Sequence, residues 1–359
     1  MKRIYSVIKG EGSYIPSKVV KNDAFLLTSF LESDGNPVDK SNEDIIEKFK
    51  QITTINERRY AESNISASHM ATIAGKKALD KAGISGEDLD YIIVAHNFGD
   101  VRGPFHQSDA VPALAARVKS SLEIKNPNCV AYDIIFGCPG WLQALIQADY
   151  FLRSGDAKHA LVIGTETLSN VCDPHDRDQM IYADGAGAVV LSATESDTPI
   201  GITHHGSRSD AVTYSKLLTM DRSYSSAETN NGTLYIKMNG RRLYQYALEH
   251  VPLAMKAVLD KAGIHASEVK KVLIHQANGK MDEAILERFY QLYEMNEYPK
   301  DVMPMSISWL GNSSVATLPT LYDLIVSGEM PEHQIQSGDI VLFASVGAGM
   351  NINAAVYRV

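Results

Sequence analysis

The residue best placed for covalent chemistry in this sequence is Cys138. It follows a β-like apolar run and precedes the helix-like run 141–146, so a helix is predicted to begin just after it. A cysteine at a helix N-terminus meets the positive end of the helix dipole, which favours the nucleophilic thiolate. Gly137 and Gly140 allow a sharp turn and the close approach of a substrate. A buried structural cysteine fits these local features equally well.

Two polar residues, His275 and Asn312, lie at the ends of predicted strands or helices. His275 ends the apolar run 272–274, at the carboxyl end of a strand, where catalytic groups gather in open α/β sheets. A neutral imidazole there could act as an acid, a base or a hydrogen-bond donor, although a satisfied core histidine is the alternative. Asn312 supplies a neutral amide at a predicted helix start. Asparagine is also a favoured N-cap, which is the plainer interpretation.

Small residues follow the last strand predicted to be buried, at Gly347, Ala348 and Gly349. Their backbone N–H groups could point at a developing oxyanion, although a tight turn would use the same residues. No glycine cluster fits G-x-G-x-x-G and there is no P-loop, so these nucleotide-binding motifs are not supported. The group at 172–176 holds a cysteine, a histidine and two aspartates but lacks a second ligand pair, so no metal site is expected.

The segments expected to position these groups occur twice in the sequence. The six residues 79–84 recur identically at 259–264, half a chain length later, and 133–138 resembles 307–312 in the same order. Six identities in a row, with a second matched pair, make chance the weaker explanation. A duplicated α/β unit is expected to fold as two similar halves. A pseudo-twofold axis between them would bring the helix starts at Cys138 and Asn312 toward each other.

Helix and strand patterns alternate along the chain, which favours α/β layering. A helix is predicted over 66–82 and buried strands over 91–95, 160–163 and 340–344, whereas 32–41 and 210–232 are polar and irregular. We place the boundary between the two halves at residue 195. The predicted domains are therefore 1–195, which carries the nucleophile cysteine, and 196–359, which carries the histidine and the asparagine.

Composition restricts the classes of function and the compartment. The 359 residues are 45% apolar and 21% charged, as in globular proteins with more than one domain-sized unit. A net charge of −9 argues against broad nucleic-acid binding. Three cysteines are too few and too uneven for a disulfide framework, and no apolar run reaches the roughly 18 residues of a membrane span. The N-terminus lacks the pattern of a signal peptide, so we expect a cytoplasmic protein.

Seven short sequence blocks occur in order along nearly the whole chain: 56–61 (NERRYA), 137–138 (GC), 173–177 (DPHDR), 184–189 (DGAGAV), 275–278 (HQAN), 311–314 (GNSS) and 347–350 (GAGM). Together they resemble the β-ketoacyl-acyl-carrier-protein synthase III family of the thiolase superfamily. The resemblance implies a five-layer αβαβα fold made of two duplicated halves, usually a homodimer. It also implies a catalytic trio of Cys138, His275 and Asn312.

The chemistry that the resemblance implies is a decarboxylative Claisen condensation. Cys138 would take an acyl group from a thioester, while its own N–H and the 347–349 loop would hold the oxyanion. His275 and Asn312 would stabilise the enolate that a malonyl-type or 3-oxoacyl thioester provides. The substrates would be thioesters of acyl-carrier protein, a partner, or of coenzyme A, with no tightly bound cofactor. The pathway would be fatty-acid initiation or a related lipid or polyketide pathway.

The sequence departs from the family pattern where coenzyme A is bound. Lys48 and Ile52 stand where the family carries a tryptophan and an arginine that grip the adenine, and Gln245 replaces a lysine linked to carrier docking. These changes favour a specialised donor that is carrier-bound, longer or modified. The predicted donor-binding residues are Arg177, Asn278 and Lys280.

Three alternative functions share part of this pattern. A specialised ketosynthase that joins two acyl chains, as in the dialkylresorcinol-forming branch, would share the same motifs. Cysteine, histidine and asparagine also serve papain-like cysteine hydrolases, but the secretory context and disulfides expected of such enzymes are missing. A non-catalytic acyl-binding relative is disfavoured because all three members of the trio are present.

Overall fold

The computed structural model describes residues 3–102, 107–227 and 232–359. Within these ranges the strands are β1 (Arg3–Tyr14), β2 (Lys18–Lys21), β3 (Glu57–Tyr60), β4 (Tyr91–Ala95), β5 (Asp100–Arg102), β6 (Gln107–Asp109), β7 (Val130–Ile134), β8 (His159–Thr167), β9 (Asp184–Ser196), β10 (Gly201–Ser209), β11 (Leu218–Asp221), β12 (Tyr235–Met238), β13 (Val269–Ile274), β14 (Ile340–Gly347) and β15 (Asn351–Arg358). The helices are α1 (Asn42–Thr53), α2 (Ala67–Ala82), α3 (Leu114–Ser121), α4 (Gly140–Ser154), α5 (Ala211–Tyr214), α6 (Gly240–Ala262), α7 (Gly279–Gln291), α8 (Ile307–Leu310) and α9 (Thr317–Val326).

Nine strands form one continuous hydrogen-bonded sheet, in the order β13-β14-β15-β10-β1-β9-β8-β4-β7. On one side β7, β4 and β8 run parallel and β9 and β1 antiparallel. On the other side β13 and β14 run parallel, while β15 and β10 are antiparallel. The two sides meet where β1 pairs with β10, at Ser6 and Ile202. The sheet therefore consists of two halves joined along the first strand of each.

Alternation of apolar side chains along the strands produces five layers. In β8, Leu161 and Ile163 pack with α2 and α3, whereas Ala160 and Val162 pack with α4 and α9. Strands of the second half pack against α4 and α9 on one face and against α6 and α7 on the other. Strands buried on both faces read as continuous apolar runs because neither face meets water. The order is helix, sheet, helix, sheet, helix, so the predicted αβαβα architecture is confirmed.

The repeated sequence produces repeated structure. α2 and α6 both end at the repeated segment, with C-cap glycines Gly83 and Gly263 at φ 63° and 66°. A short turn then leads into β4 in the first half and β13 in the second. Glycine is needed at both caps because the left-handed backbone is costly for residues with a Cβ. The predicted helix at 66–82 and the predicted buried strands are confirmed.

One expectation for the irregular segments is wrong. The segment 210–232 was expected to lack regular structure, but it contains α5 and β11, and β11 pairs with β12. Pairing across a long connection supplies the order that a polar local sequence does not indicate. Positions 228–231 lie outside the described residues. The domain boundary at 195 stays a prediction; it falls one residue before the end of β9. Within the described ranges, we find no helix with the length and apolar character of a bilayer span.

Candidate active site

Cys138 lies in a tight turn between β7 and α4. Gly137 takes a positive φ of 67°, and its carbonyl accepts a hydrogen bond of 2.9 Å from the N–H of Gly140, the first residue of α4. The turn leaves the thiol half-buried at the N-terminal end of the helix. It lines an apolar cavity of about 360 Å³. The sequence therefore predicted the position of Cys138 correctly.

The loop that connects β14 to β15 lies backbone to backbone against this turn. A Cβ on Gly347 would lie 2.4 Å from the backbone nitrogen of Cys138, and one on Gly137 would lie 2.6 Å from that of Ala348. The side chain of Asn351 donates to the Ala348 carbonyl at 3.1 Å and so helps to hold the loop. The N–H groups proposed for the oxyanion therefore come from two loops in direct contact, and Gly347, Ala348 and Gly349 line the same cavity as Cys138.

Asn312 is fixed by hydrogen bonds from its backbone and its side chain. Its N–H donates to the carbonyl of Ile181 at 3.0 Å, and its carbonyl accepts from the N–H of Ala183 at 2.8 Å. The side-chain oxygen accepts from the N–H of Ser314 at 2.8 Å. Because that oxygen already has a donor, the amide is oriented to meet the cavity through its donor nitrogen. Asn312 is therefore not an N-cap, since α9 begins only at Thr317.

His275 follows β13 and is buried beside the same cavity. The backbone N–H of His275 donates to the carbonyl of Ala344 in β14 at 2.9 Å, which continues the parallel pairing of β13 and β14 by one residue. Burial lowers the pKa of the imidazole to about 4, so it is neutral near pH 7. Among the described residues, Nδ1 has no hydrogen-bond partner. A neutral ring in this place can donate a hydrogen bond to a substrate oxygen without adding charge.

The ionisation of Cys138 differs from what the sequence predicted, which was a thiolate favoured by the helix dipole. Burial raises the pKa of the Cys138 thiol to about 11, the hydrogen bond from the Ser314 hydroxyl opposes this rise, and the charge of Glu166 adds to it. The expectation is wrong for the resting site because burial takes the thiol out of water, which disfavours its charged form. The resting nucleophile is therefore a neutral thiol.

Cys138, His275 and Asn312 line one cavity. Apolar side chains form most of its remaining wall: Phe98, Ile135, Phe136, Leu168, Leu218, Met220, Ile236, Met238, Leu243, Met281 and Val346. Such a lining suits an aliphatic acyl group. It also excludes water, which strengthens every hydrogen bond made inside the cavity.

A second cavity, of about 460 Å³, opens from this site toward the surface. The two cavities share Asn312 and Tyr182 among their lining residues, and the outer one is bordered by four cations, Lys40, Lys48, Arg177 and Arg241. Cationic side chains at the mouth and apolar ones inside match a substrate with a charged phosphate and an apolar acyl end.

The three predicted donor-binding residues lie at or near this mouth. Arg177 and Asn278 line the outer cavity. The side-chain oxygen of Asn278 accepts from the N–H of Met281 at 3.1 Å and caps α7, so part of its role is structural. Lys280 lies outside the cavity, on the adjoining surface next to Lys48 and Ile52.

Three polar residues close to Cys138 were not identified from the sequence. Ser314 approaches the thiol, Asn97 contacts Ser314, and Glu166 contacts Asn97. A signal existed for Glu166, because a carboxylate within a buried apolar strand, 2% exposed, is rarely placed there without a partner. Asn97 follows β4 at its carboxyl end, which is the same signal that identified His275.

The acidic residues of segment 172–176 make a structural ion pair. The ammonium of Lys237 lies 2.5 Å from Asp173 and 3.1 Å from Asp176, and all three side chains are buried. Asp173 also accepts from Ser223 and from the N–H of Tyr224. These contacts tie the segment to β12 and to the residues after β11.

Comparison with known proteins supplies the family. The family model for 3-oxoacyl-[acyl-carrier-protein] synthase III matches residues 132–209, and the model for its C-terminal part matches 259–359. The β-ketoacyl-[acyl-carrier-protein] synthase III of Erythrobacter litoralis is 33% identical over 357 residues, which cover 99% of each chain. The chain belongs to the 3-oxoacyl-[acyl-carrier-protein] synthase III family.

Solved structures agree with this assignment. The 3-oxoacyl-[acyl-carrier-protein] synthase III of Aquifex aeolicus is 30% identical, covers 100% of both chains and superposes with a TM-score of 0.78. The priming β-ketosynthase of the R1128 polyketide pathway is 26% identical, with coverage of 100% of this chain and 97% of the other and a TM-score of 0.81. The chain therefore has the thiolase fold, and it is an acyltransferase of the ketosynthase type.

The buried imidazole of this family member leads to a prediction about pH. His275 should titrate near pH 4, well below its ordinary value of 6.5, because the cavity disfavours the charged ring. Unfolding restores the ordinary pKa, so protonation of the unfolded chain should destabilise the fold as pH falls from 6.5 toward 4. NMR titration of histidine-labelled protein measures this value, with His275→Asn to assign the resonance. Titration near the ordinary value would contradict the buried, neutral ring.

Proposed function

We propose that the protein condenses an acyl thioester with a malonyl-type thioester through an acyl-cysteine on Cys138 and releases a 3-oxoacyl thioester. One observation carries the proposal. A thiol, a neutral imidazole, an amide and a glycine loop line a single apolar cavity that is entered through a cationic mouth. Covalent transfer of the acyl group divides one difficult reaction into two easier steps.

In the first step Cys138 loses its proton and its sulfur attacks the carbonyl carbon of the acyl thioester. The carbonyl oxygen becomes an oxyanion, which the N–H groups of Cys138 and of the 347–349 loop are placed to bind. The bond from the carbonyl carbon to the donor sulfur then breaks, and the departing thiolate takes up a proton in place of the one that Cys138 released. The products are the acyl-enzyme and the free thiol of the donor.

In the second step the extender loses CO₂ and the electrons of the broken bond form an enolate. His275 and Asn312 donate hydrogen bonds to the thioester oxygen on which this charge develops. Both groups are neutral, which suits a buried site where a fixed cation would bind the carboxylate of the extender before reaction. The enolate carbon attacks the acyl-cysteine, so the new carbon–carbon bond forms as the bond to Cys138 breaks.

The same electrostatics argue against a cysteine hydrolase. Such enzymes use a thiolate paired with a charged imidazole. Here burial raises the pKa of Cys138 to about 11 and lowers that of His275 to about 4. Both shifts favour the neutral pair and disfavour the ion pair.

Acyl-carrier protein is the proposed partner and donor, with coenzyme A as the competing carrier. Lys40, Lys48, Arg177 and Arg241 border the mouth, where the phosphate of a phosphopantetheine arm would lie. No tightly bound cofactor is needed, because the thioesters bring the reactive groups. Three free cysteines support a reducing compartment, and we propose the cytoplasm.

We further propose that the protein is a homodimer. β7 lies at one edge of the nine-stranded sheet, and Val130 and Ile135 near its ends are 50% and 69% exposed. An apolar edge strand invites pairing unless something covers it, and a second copy of the chain would do so. Sedimentation equilibrium would measure the mass of two chains; the mass of one chain at micromolar concentration would contradict the proposal.

Treatment with an acyl thioester should add one acyl group, on Cys138. The other thiols are less suitable, because Cys129 is 2% exposed and the thiol of Cys172 donates to the carbonyl of Leu168 at 3.1 Å. Intact-mass measurement followed by peptide mapping tests this, with Cys138→Ala as the control that should stay unmodified. Label on Cys172 with none on Cys138 would remove the basis of the proposed function.

Replacement of His275 or Asn312 by alanine should impair decarboxylation more than acylation. Each residue donates to the enolate, and loss of one such donor typically costs on the order of 100-fold or more in rate. Release of CO₂ from a labelled malonyl thioester and acyl transfer to Cys138 are measured separately. Asn64→Ala, at an exposed position, is the matched control. Equal loss of both steps in the two variants would show that the division of roles is wrong.

Carrier-protein thioesters should react faster than coenzyme A thioesters of the same acyl group. Lys48 and Ile52 border the mouth and offer no aromatic face to the adenine, a contact that typically contributes roughly 0.5–2 kcal/mol. The expected preference in kcat/KM is about a few-fold to tens-fold, since 1.4 kcal/mol is about tenfold.

A double variant makes this comparison sharper. Lys48→Trp with Ile52→Arg should recover activity with coenzyme A thioesters, because it restores the aromatic and cationic pair. Ile73→Arg, on the outer face of α2, is the control for a new surface arginine. A clear preference of the unaltered protein for the coenzyme A thioester would refute the idea.

A further inference from the structure

Behind Cys138 lies a chain of hydrogen bonds for which the proposed reaction has not yet accounted. The hydroxyl of Ser314 lies 3.4 Å from the sulfur of Cys138. The side-chain nitrogen of Asn97 lies 3.3 Å from that hydroxyl and 3.0 Å from a carboxylate oxygen of Glu166. The backbone N–H of Asn97 donates to the same oxygen of Glu166. Three separate elements thus contribute to one chain of contacts that ends on the nucleophile.

The direction of each hydrogen bond follows from the one before it. Burial raises the pKa of Glu166 to about 7, although His96 opposes the rise, so this carboxyl is ionised above about pH 7. An ionised carboxylate only accepts, so Asn97 must turn its NH₂ group toward Glu166. The second hydrogen of that NH₂ group is then directed at the oxygen of Ser314. The thiolate form of Cys138 has no hydrogen to give, so the hydrogen between its sulfur and the Ser314 oxygen is that of the Ser314 hydroxyl. Ser314 therefore acts as a donor to Cys138.

The backbone of Ser314 is held in an unusual conformation. Its φ is 53°, in the left-handed region that residues with a Cβ avoid. Neighbouring contacts keep it there: its N–H donates to the Asn312 side chain, and a Cβ on Gly164 would lie 2.2 Å from the carbonyl of Val315, the next residue. Strain of this kind persists only where the surroundings determine the backbone, and it concentrates at functional sites.

We propose that Ser314 is a positioning residue for the nucleophile, with a hydroxyl that Asn97 and Glu166 orient to donate to the Cys138 thiolate. The inference rests on the proposed function, in which this thiolate attacks the acyl thioester. Burial opposes formation of the thiolate, and a hydrogen bond to the sulfur favours it. Once the acyl group is attached the sulfur carries no charge, so the contact acts mainly before the transfer.

Alkylation of Cys138 by iodoacetamide measures its thiolate directly and needs no substrate. The rate is followed by peptide mapping between about pH 6 and pH 10, since the thiolate is the reactive form. In Ser314→Ala the whole profile should move to higher pH. Loss of a hydrogen bond to a charged group leaves about ten- to a hundredfold less thiolate at a fixed pH.

The alkylation rate should fall less than the amount of thiolate. A more basic thiolate is also a better nucleophile, with a Brønsted coefficient of about 0.4–0.5, so the expected loss near pH 8 is about three- to tenfold. Because burial raises the pKa of Cys138 to about 11, both rates should still rise with pH up to pH 10, and their ratio should stay constant. A damaged fold that exposed the thiol would instead speed alkylation. Ser313→Ala is the matched control, because the hydroxyl of Ser313 contacts Thr317 at 3.3 Å and should leave the profile unchanged.

Two further variants separate orientation from charge. Asn97→Ala leaves the backbone at Ser314 untouched but removes the group that orients its hydroxyl, so it should shift the profile in the same direction as Ser314→Ala. Glu166→Gln keeps an accepting oxygen for Asn97 and removes a negative charge that opposes the thiolate. It should therefore shift the profile to lower pH and speed alkylation above pH 7, where the Glu166 carboxylate is charged.

The outcomes are distinct from failure of the proposed function. A Ser314→Ala profile that superposes on that of the unaltered protein overturns the inference, even if Cys138 is acylated normally. If Cys138 takes no acyl group from any thioester, the proposed function fails while the alkylation profile still reports on Ser314. Opposite shifts in Ser314→Ala and Glu166→Gln would support the oriented hydrogen bond.

Discussion

The close approach of two backbones at Gly137 and Gly347 is the constraint on which the site depends. Neither position has room for a Cβ, because an added atom would lie 2.6 Å or 2.4 Å from a backbone nitrogen of the facing loop. The contact joins the turn of Cys138, in the first half, to the last hairpin of the second half. Any larger residue would separate the thiol from the N–H groups proposed to bind the oxyanion. The geometry of the site therefore depends on two glycines, which let the two halves of the fold approach each other this closely.

Burial of this junction has opposite consequences for its two titratable groups. It keeps His275 neutral, which suits a hydrogen-bond donor to an enolate, and it raises the pKa of Cys138, which does not suit a nucleophile. An exposed thiol would ionise more readily but would let water reach the acyl-enzyme and the enolate. A dry cavity therefore requires local donors to the sulfur, and among the described residues the hydroxyl of Ser314 and the backbone of Cys138 itself both lower the pKa of the thiol.

The sequence predicted features that depend on neighbouring residues better than features that depend on residues far apart in the chain. Helix ends at Gly83 and Gly263 were readable because the repeated segment contains its own C-cap, and strand-end positions located Cys138 and His275. β11 was missed because its order comes from pairing with β12, beyond a long connection. The ionisation of the thiol was misjudged for the same reason, since burial is a property of the whole fold. The donor to the sulfur is oriented by Asn97, which lies 217 residues away from Ser314 in the chain.

The duplication explains how one scaffold could supply two different kinds of chemistry. Gly137 and Gly311 lie at corresponding positions of the repeat, both with a positive φ, of 67° and 72°, and each precedes the residue that meets the cavity. The glycine with positive φ occurs in both halves, while the side chain after it differs: a thiol that must ionise in one half and an uncharged amide in the other. Ser314 connects them, because its N–H fixes the Asn312 amide and its hydroxyl reaches the Cys138 sulfur. One residue therefore contacts both turns, through its backbone in one case and its side chain in the other, although they come from opposite halves of the chain.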